Sequence, residues 1–599
     1  MRKVLSLSPL KICAVAAVLC ATIPASADSF FAPGNLVLSR SVYAGTPATV
    51  TVGQQLPPVC GTAATCPATA VNDGTYPYVF NNNTADGSFG ITSPIYLDEI
   101  TTGGQLINTL NVTDTLLTNS NFNLVTSFSS KSELALNLST DHSVITFMGY
   151  NAPVNTLDVS NSNTPGVIDP TNPVGTSFYR VVGQVDANGN ITTTETNAYS
   201  GNNGRAAILA GGYYFTVGNN NNGSGTPANI IDSTGVEIIV PGSTPGVPQM
   251  VGNFSITQVT NPSTGKPYAA DKAGKDNNFR GLTVFDNTVY VDKGSGGNGI
   301  NTVYQVGAAG TLPTLATAAT EPLTILPGFP VTLAKAATAQ NPFGIFFANA
   351  NTVYVADEGD GTAADAATSP NAGLEKWVLQ NGTWNRVYVL QNGLNLGQPY
   401  SIPNYPSSLN PSTDGLRNIT GRVNSDGTVT IWAITSTVSA SGDQGADPNR
   451  LVVISDVLAN TDPAIAANEQ FGTLRTAGFG EVLRGISLTP GTSALPAAPQ
   501  YAVTVGALFY NRAHHNYAAV VSLLNNTNSA ASGPLSVLIS GLPAGVAVTN
   551  ATSSVGNVPA VQVLPSGGTL SPGASASATV TFTDSSNAPI QFTPSVVNQ

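Results

Sequence analysis

A strand–turn–strand unit that recurs about every 70 residues constrains the fold of this chain more than any other feature. Arginine stands at the start of four copies, in the contexts GRAAI, FRGLT, LRNIT and LRGIS. Between the second and third arginines the spacing is about twice as long, and Phe343-Gly344-Ile345 lies halfway, as the same unit without the arginine. A fixed period of this length indicates a repeat architecture. The four arginines are Arg205, Arg280, Arg417 and Arg484.

Each copy combines a strand, a tight polar turn and a second strand. Residues 279–297 align with residues 341–361, and both segments end in an acidic, glycine-rich loop. A further pair of strands follows, as in residues 373–391, where Asn381-Gly382 gives the turn. Four antiparallel strands per period predict a β-propeller blade, and the near absence of helical periodicity predicts an all-β protein. The remaining copies are residues 132–150, 204–223 and 416–436.

The two ends of the repeat region predict how the propeller closes. Residues 35–40 form a second strand without a first strand before them, and residues 94–112 supply a third and a fourth. Residues 483–490 form a first strand with nothing after it. Pairing the two ends gives a six-bladed propeller closed by N- and C-terminal strands. A seven-bladed alternative requires an additional blade within residues 222–270 or 39–90.

The propeller is predicted to span residues 28–490, and a second domain follows it. Residues 491–499 are rich in Pro, Ala and Ser and predict a linker. Residues 500–599 show short alternating runs separated by turn signals such as GLPAGV. About 100 residues of this pattern predict a β-sandwich of immunoglobulin or fibronectin type.

One copy of the unit resembles a known propeller repeat. Residues 341–361, NPFGIFFANANTVYVADEGDG, resemble the NHL type in their P-x-G-I entry and their Y-V-A-D second strand. The match is good over this unit and partial in the other blades, where arginine replaces the proline. The segment GLPAGV resembles modules found at the ends of exported bacterial proteins. The NHL resemblance implies the propeller fold and leaves the activity open, because propellers carry many unrelated functions.

The N-terminal segment predicts export. A basic start precedes the apolar residues 12–23, which are too few to span a bilayer, and Ala25-Ser26-Ala27 provides a cleavage site for a signal peptide of residues 1–27. No later segment has the length of a membrane helix. The chain carries 33 acidic and 21 basic residues, which argues against nucleic acid as a partner. We therefore expect an exported bacterial protein that is extracellular, attached to the cell surface or periplasmic.

Cys60 and Cys66 are the cysteines that remain after residues 1–27 are removed. In an oxidising compartment, two cysteines this close in sequence predict a local disulfide that closes one loop. A metal pair is the alternative, but it lacks a further cysteine or a nearby histidine.

The four arginines are predicted to converge at one mouth of the central channel, because the first strand of every blade begins at the same face. Long polar loops are predicted at that face, and loops on a rigid scaffold are where binding residues concentrate. Several arginines together can bind a carboxylate or a phosphate through charge-assisted hydrogen bonds. The alternative is a structural role, in which each arginine pairs with a neighbouring acid, such as Asp414 or Glu481, and holds blades together.

The acidic loop that follows strand YVAD suggests calcium, because carboxylates and backbone carbonyls suit a hard cation. The spacing of its acids differs from that of a twelve-residue calcium loop, so a solvated turn is the alternative. Calcium is the only cofactor that the sequence suggests. The candidate ligands are Asp292, Asp357, Glu358 and Asp360, with Asp365 as a further one.

Nucleophilic catalysis has little support. His142 falls in a turn at the opposite face and His514 and His515 fall in the sandwich, so no histidine can join a serine or cysteine at the mouth. The leading interpretation is an exported binding protein for an unknown small molecule, carbohydrate or protein. The alternative is a calcium-dependent hydrolase or lactonase of the six-bladed propeller type, with no catalytic residue assigned.

The sequence predicts different environments for two sets of aromatic residues. The tryptophans fall on strands and are expected in the core, whereas tyrosines in loops are expected to be exposed and to suit stacking on sugar rings. The tryptophans are Trp377, Trp384 and Trp432, and the loop tyrosines are Tyr43, Tyr76, Tyr78, Tyr400 and Tyr405.

Overall fold

The computed structural model of this chain divides into two compact units, Met1–Leu495 and Pro496–Gln599. Residues 1–27, Cys60 and Cys66 lie outside the described residues, so the signal peptide and the disulfide stay predictions. The described residues are 29–43, 55–56, 68–69, 91–127, 132–156, 159–168, 176–219, 235–242, 251–253, 255–256, 278–294, 299–334, 336–439, 445, 447–492, 501–525, 530–555, 558–585 and 589–598.

The first unit is all-β and consists mainly of six successive groups of four antiparallel strands, numbered here as sheets 1 to 6. Sheet 1 has strands Asn137–Leu138, Val144–Asn151, Arg180–Asp186 and Ile191–Thr196; sheet 2 has Gly204–Ala210, Tyr213–Gly218, Val236–Ile239 and Val251–Asn253; sheet 3 has Leu282–Phe285, Thr288–Lys293, Thr302–Val306 and Pro322–Ile325. Sheet 4 has Pro342–Asn349, Thr352–Asp357, Gly373–Gln380 and Thr383–Leu390; sheet 5 has Ser412–Val423, Thr428–Val438, Arg450–Val457 and Gly472–Thr476; sheet 6 has Glu481–Leu488, Leu36–Val42, Thr92–Ile100 and Leu106–Asn111.

Sheet 6 combines strands from both ends of the first unit. Leu36–Val42 pairs antiparallel with Glu481–Leu488, with Leu36 opposite Leu488. On its other edge Leu36–Val42 pairs with Thr92–Ile100. The strand Leu124–Ser127 then pairs with both Thr92–Ile100 and the second strand of sheet 1, so sheets 6 and 1 form one continuous nine-stranded sheet.

Short elements connect the sheets. Ser255–Ile256 adds a parallel strand beside Pro322–Ile325, and Gln55–Leu56 pairs with Ala68–Thr69. The helix Val112–Ser120 begins at Asn111, whose side chain accepts a hydrogen bond from the amide of Asp114, as N-cap residues do. The remaining helical segments are Val159–Asn161, Ala318–Thr320, Ala366–Thr368, Ser407–Leu409 and Pro463–Ala466. No helix in the described part of the chain combines the length and apolar character that a membrane span requires.

The first strands of the six sheets lie side by side in sheet order. Each contacts the first strand of the next sheet, and Glu481–Leu488 of sheet 6 contacts Asn137–Leu138 of sheet 1. These strands have two ends, which we call the arginine end, where they begin, and the turn end, where they reverse into the second strands. At the turn end Asp286 and Asn287 have φ values of 46° and 51°, as a two-residue hairpin turn requires.

Apolar side chains fill the space between every pair of neighbouring sheets. A cluster that includes Trp432 and Leu483 lies between sheets 5 and 6, and one that includes Phe147 and Leu97 lies between sheets 6 and 1. The other four clusters join sheets 1 and 2, 2 and 3, 3 and 4, and 4 and 5. Coverage on both faces explains the central apolar run IWAI of the strand Thr428–Val438.

Glycine allows the first strands to approach one another closely at two equivalent positions. A Cβ atom on Gly281 would collide with the carbonyl oxygen of Phe343 in the next first strand. A Cβ atom on Gly485 would collide with the carbonyl oxygen of Leu134, just before the first strand of sheet 1. Both glycines directly follow an arginine of the repeat, so the repeated Arg-Gly pair has a packing explanation.

The second unit has its own core between two antiparallel sheets. Val521, Val537, Val561 and Phe582 are among the buried side chains that the two sheets share. One sheet has strands Tyr501–Val505, Phe509–Asn511, Asn516–Asn525, Val546–Val548 and Ser575–Asp584, and the other has Leu535–Ser540, Ser553–Val555, Val558–Leu564 and Thr593–Asn598. A short pair, Ala531–Ser532 and Thr569–Leu570, completes the described strands.

Candidate functional site

All four arginines of the repeat lie at the arginine end and are buried. The exposed fractions of Arg205, Arg280, Arg417 and Arg484 are 5%, 5%, 2% and 4%. The hairpins hold these positions firmly: the amide of Arg280, for example, donates to the carbonyl of Asp292 in the adjacent strand. Burial of an arginine is costly unless its charge is paired or hydrogen-bonded, so the partners decide what these residues do.

Glu358 is the partner of two of the arginines. Its Oε1 atom lies 3.2 Å from Nη2 of Arg280, and its Oε2 atom lies 3.3 Å from Nε of Arg417. Glu358 follows the second strand of sheet 4, whereas the arginines belong to the beginnings of sheets 3 and 5. One carboxylate therefore joins three sheets.

The other two arginines bond to neighbouring segments in the same way. Nη1 of Arg205 donates to the carbonyl of Phe279, which leads into sheet 3, at 2.7 Å and also bonds to Asn278. Arg484 donates from Nε to the hydroxyl of Ser41 at 3.2 Å and from Nη2 to the carbonyl of Gly445 at 2.9 Å. The four arginines thus connect segments of different sheets, as the structural interpretation expects.

Glu133 brings sheet 1 into the same cluster. Its carboxylate bonds to the hydroxyl of Tyr150 and accepts from Thr126 at 2.7 Å and from the amide of Ser127 at 2.8 Å. Burial raises the pKa of Glu133, while its hydrogen bonds and the charge of Arg484 act in the opposite direction. The adjacent Ser132 accepts a hydrogen bond from Nη1 of Arg280, which precedes the first strand of sheet 3. We call Arg205, Arg280, Arg417, Arg484, Glu133 and Glu358 the arginine cluster.

Like charges lie close together within the arginine cluster. Burial, and then the charge of Arg280, lower the pKa of Arg205 well below its usual value. Burial likewise lowers the pKa of Arg417 despite the opposing charge of Glu358. Within the arginine cluster, three buried guanidinium nitrogens have no hydrogen-bond acceptor: Nε of Arg205, Nε of Arg280 and Nη2 of Arg417. The cluster therefore retains donors that an anion can satisfy.

The proposed calcium ligands are engaged with the protein itself. Oδ1 of Asp292 accepts the amide of Gly281 at 2.9 Å, and the carboxylate of Asp357 accepts the amides of Asn341 at 2.7 Å and Gly359 at 2.9 Å. The bonds from Gly281 and Asn341 tie the end of a second strand to the residue just before the first strand of the same sheet, and the bond from Gly359 closes the loop that follows Asp357. Asp360 is exposed and accepts the amide of Thr362 at 2.9 Å, and Asp365 is also exposed.

The carboxyl groups of Asp292 and Asp357 have raised pKa values. Burial raises the pKa of Asp292 to about 7 and that of Asp357 to about 6, although amide hydrogen bonds oppose both shifts. In the described residues, no group of three or more His, Cys, Asp or Glu side chains is arranged to hold a metal ion. Calcium binding accordingly stays a prediction.

Of the two predictions about aromatic residues, the one for the tryptophans is confirmed and the one for the described tyrosines is wrong. Trp377, Trp384 and Trp432 are buried, as predicted from their strands. The prediction of exposed loop tyrosines is wrong for Tyr43, Tyr400 and Tyr405, which are 4%, 8% and 7% exposed. Tyr76 and Tyr78 lie outside the described residues.

The two tyrosines that follow sheet 4 are buried because their rings and hydroxyls have internal partners. The hydroxyl of Tyr400 donates to the carbonyl of Pro448 at 2.8 Å, and its ring lies 3.6 Å from the guanidinium of Arg450. The hydroxyl of Tyr405 bonds to Asp447 at 3.3 Å. Neither ring is free to stack on a sugar.

The histidines lie away from the arginine cluster. His142 is in the sheet 1 hairpin at the turn end, with a φ of 60°, as predicted. His514 and His515 lie in the second unit, between the strands Phe509–Asn511 and Asn516–Asn525.

Sequence reasoning missed Glu133 and the bridging role of Glu358. Glu133 stands just before the first strand of its repeat copy, where other copies carry arginine, and this equivalence is the signal that marks it. Glu481, one of the acids expected to pair with the repeat arginines, instead pairs with Arg40 at 2.9 Å. Arg40 also bonds to Asp98 at 3.1 Å, so it joins three strands of sheet 6.

Comparisons with known proteins add little to this geometry. No protein-family model matches the chain, and no curated protein matches it in sequence. Among solved structures, an exo-β-1,3-galactanase from Phanerochaete chrysosporium with β-1,3-galactotriose aligns over 76% of this chain and 93% of its own, with 11% identity and a TM-score of 0.28. The N-terminal domain of Nup159 aligns over 67% of this chain and 89% of its own, with 8% identity and a TM-score of 0.23. At these TM-scores neither likeness carries an argument.

Proposed function

We propose that this chain is an exported binding protein, in which a six-bladed propeller of NHL-like type presents a ligand site at the arginine end. The signal peptide is residues 1–27, the propeller residues 28–490 and the linker residues 491–499. Residues 500–599 form an immunoglobulin- or fibronectin-like module. The ligand is a small molecule that carries a carboxylate or a phosphate.

The ring of first strands supports the propeller. Consecutive first strands contact one another around a complete circuit, and an apolar cluster lies between each pair of neighbouring sheets. Antiparallel four-stranded sheets repeated radially in this way are what a propeller consists of. The pairing of Leu36–Val42 with Glu481–Leu488 supports closure by the two ends of the domain.

The proposed ligand site rests on one observation: Arg205, Arg280 and Arg417 each have a buried N–H donor without a hydrogen-bond acceptor. A buried donor without an acceptor costs about 1–3 kcal/mol, and more for a charged group. A carboxylate or phosphate at this end would accept these donors and offset the repulsion between the guanidinium groups. A longer connection, residues 358–372, also joins two strands of sheet 4 at this end, whereas residues 286–287 are enough to join two strands of sheet 3 at the turn end.

A thermal-unfolding titration with citrate and with inorganic phosphate tests the site. Sodium chloride of matched ionic strength provides the baseline, because it screens charge without specific binding. A ligand that binds only the native state raises the melting temperature in proportion to the logarithm of its concentration. We expect such a rise with at least one of the two anions.

A lysine substitution separates anion recognition from general charge. Arg205→Lys keeps the charge but removes the planar fork of donors, so we expect it to abolish the rise in melting temperature. Arg422→Lys is the matched control, because Arg422 lies outside the arginine cluster and packs on Trp432 at 5.7 Å. No rise with either anion, or an unchanged rise in Arg205→Lys, would contradict the proposed site.

The calcium-dependent hydrolase is a distinct outcome of the same assay. Millimolar calcium chloride should leave the melting temperature unchanged relative to sodium chloride if the chain is a binding protein of the kind proposed. A calcium-dependent rise in melting temperature, together with lactone hydrolysis that a chelator abolishes, would contradict the binding function and support the hydrolase.

N-terminal sequencing of the exported protein tests the signal peptide, and we expect the mature chain to begin at Asp28.

A further inference from the structure

A cavity of about 520 Å³ lies at the turn end, opposite the arginine cluster. All six sheets line it, mostly through their first strands. Exposed residues such as Asp286 and Asn287 of the hairpin turns form its rim, so it reaches the protein surface. No residue of the arginine cluster lines it.

The wall of this turn-end cavity is mainly apolar. Aliphatic residues of all six sheets line it, and sheets 3 and 4 add phenylalanine rings. Polar residues also line it, among them Thr283, Thr420 and His142, and Asp286 is the one carboxylate in its lining. The aliphatic residues are Leu136, Leu138, Ile208, Val284, Ile345, Ile419 and Leu488, and the rings are those of Phe285, Phe346 and Phe347.

The size of the turn-end cavity is unusual for a packed interior. Protein cores contain few voids larger than a water molecule, because unfilled space forfeits dispersion contacts. Sites for small molecules, by contrast, are commonly clefts of about 300–1,000 Å³ with mostly apolar walls and a few polar groups that orient the ligand. The turn-end cavity has both properties of such a site.

Charge restricts the chemical class of the ligand. The carboxylate of Asp286 stands at the rim, and the whole chain has a net charge of −12. No lysine or arginine lines the cavity. An anion would therefore lose hydration without gaining a partner of opposite charge, whereas a neutral apolar molecule gains by leaving water.

We propose that the turn-end cavity is a binding site for a neutral, largely apolar small molecule with an aromatic ring. Its body packs against the aliphatic and phenylalanine side chains, and a single polar group on it bonds to the threonine hydroxyls of the wall. This site is separate from the anion site at the arginine end, and the two proposals are independent, so each can be wrong while the other is correct.

Two fluorescent probes with nearly the same ring system test the class of ligand. N-phenyl-1-naphthylamine is neutral, and 1-anilinonaphthalene-8-sulfonate carries a sulfonate on a comparable framework. We expect the full-length protein to bind the neutral probe saturably, with one probe per chain and at least about tenfold tighter than the anionic one, a difference of about 1.4 kcal/mol. Equal or tighter binding of the sulfonate would overturn the proposal.

Substitutions that fill the cavity test its location. Thr420→Trp and Thr283→Trp introduce an indole from two different sheets, and each is expected to weaken binding of the neutral probe at least about tenfold. Thr430→Trp is the matched control, because Thr430 is also a half-buried strand threonine but does not line the cavity. We expect its affinity to stay within about twofold of the unmodified protein.

Two outcomes would overturn the site. One is undiminished binding in either cavity-filling variant whose melting profile shows it to be folded, because the probe would then bind elsewhere. The other needs no variant: if the neutral probe does not raise the melting temperature of the unmodified protein, it does not bind the native state, and the proposal is wrong.

Discussion

The first strands of the six sheets differ sharply between their two ends. Where they begin, charged side chains cross from sheet to sheet, and Glu358 alone bonds to Arg280 and Arg417. Where they reverse, the same strands present side chains such as Ile345 and Ile419 to a cavity of about 520 Å³. At the charged end the side chains bond across sheets because buried charges require partners, whereas apolar side chains require none. Strong directional contacts at one end thus coexist with open space at the other.

The largest expected effect is the loss of the shared carboxylate. Glu358→Gln leaves two buried arginines without a charged partner, and removal of one member of a buried ion pair typically costs about 3–5 kcal/mol. Urea unfolding followed by circular dichroism should show a loss of this size. Asp360→Asn is the control two residues away, and because Asp360 is exposed its effect should stay within about 0.5 kcal/mol. Similar losses in both variants would mean that the arginine cluster does not hold the sheets together.

Close contact between first strands should be nearly as sensitive. Gly485→Ala places a methyl group against the carbonyl of Leu134, and overpacking of this kind costs about 1–3 kcal/mol. Gly472→Ala is the control, because its Cβ atom would come no closer than 3.9 Å to Val453. The same unfolding assay applies, and an unaffected Gly485→Ala variant would contradict the close approach of sheets 6 and 1.

The charged end should also make stability depend on pH. Burial raises the pKa of Asp292 from its ordinary value of 3.8 to about 7 in the folded protein. The folded state therefore holds this proton more tightly than the unfolded chain does. The resulting stabilisation is complete below pH 3.8 and is lost as the pH rises through 7. Between these two pH values the free energy of unfolding falls by up to about 1.4 kcal/mol per pH unit. We expect the melting temperature to fall more steeply from pH 5 to pH 7 in the unmodified protein than in Asp292→Asn. Parallel pH profiles would exclude this role.

The smallest expected effect concerns the rim of the turn-end cavity. Asp286→Asn removes an exposed negative charge, which should strengthen binding of 1-anilinonaphthalene-8-sulfonate by about two- to fivefold at low ionic strength. The affinity for the neutral naphthylamine and the stability should hardly change, because the turn is exposed. A gain for both probes would indicate a change of shape rather than of charge.

Local patterns in the sequence predict much of the architecture. Unpaired strands at residues 35–40 and 483–490 predict the pairing that the structure contains between Leu36–Val42 and Glu481–Leu488. The repeat period likewise predicts that the four arginines share one end of the first strands. Both features depend on spacing along the chain, which the sequence displays directly.

Features that depend on packing between distant segments were not predictable. Glu358 and Arg280 are far apart in sequence, and many acids could have been the partner. The burial of Tyr400 depends on Arg450 and the carbonyl of Pro448, which a loop composition does not reveal. The turn-end cavity depends on how side chains from six sheets fill a shared space, and no single segment carries that information.

Xenon pressurisation of crystals of the full-length protein tests the contrast between the two ends most directly. Dry apolar cavities bind xenon, whereas sites occupied by charged groups do not. The account predicts xenon density at the turn end, between Ile345 and Ile419, and none among Arg205, Arg280 and Arg417. Ordered water in place of xenon at the turn end, or xenon among the arginines, would contradict it.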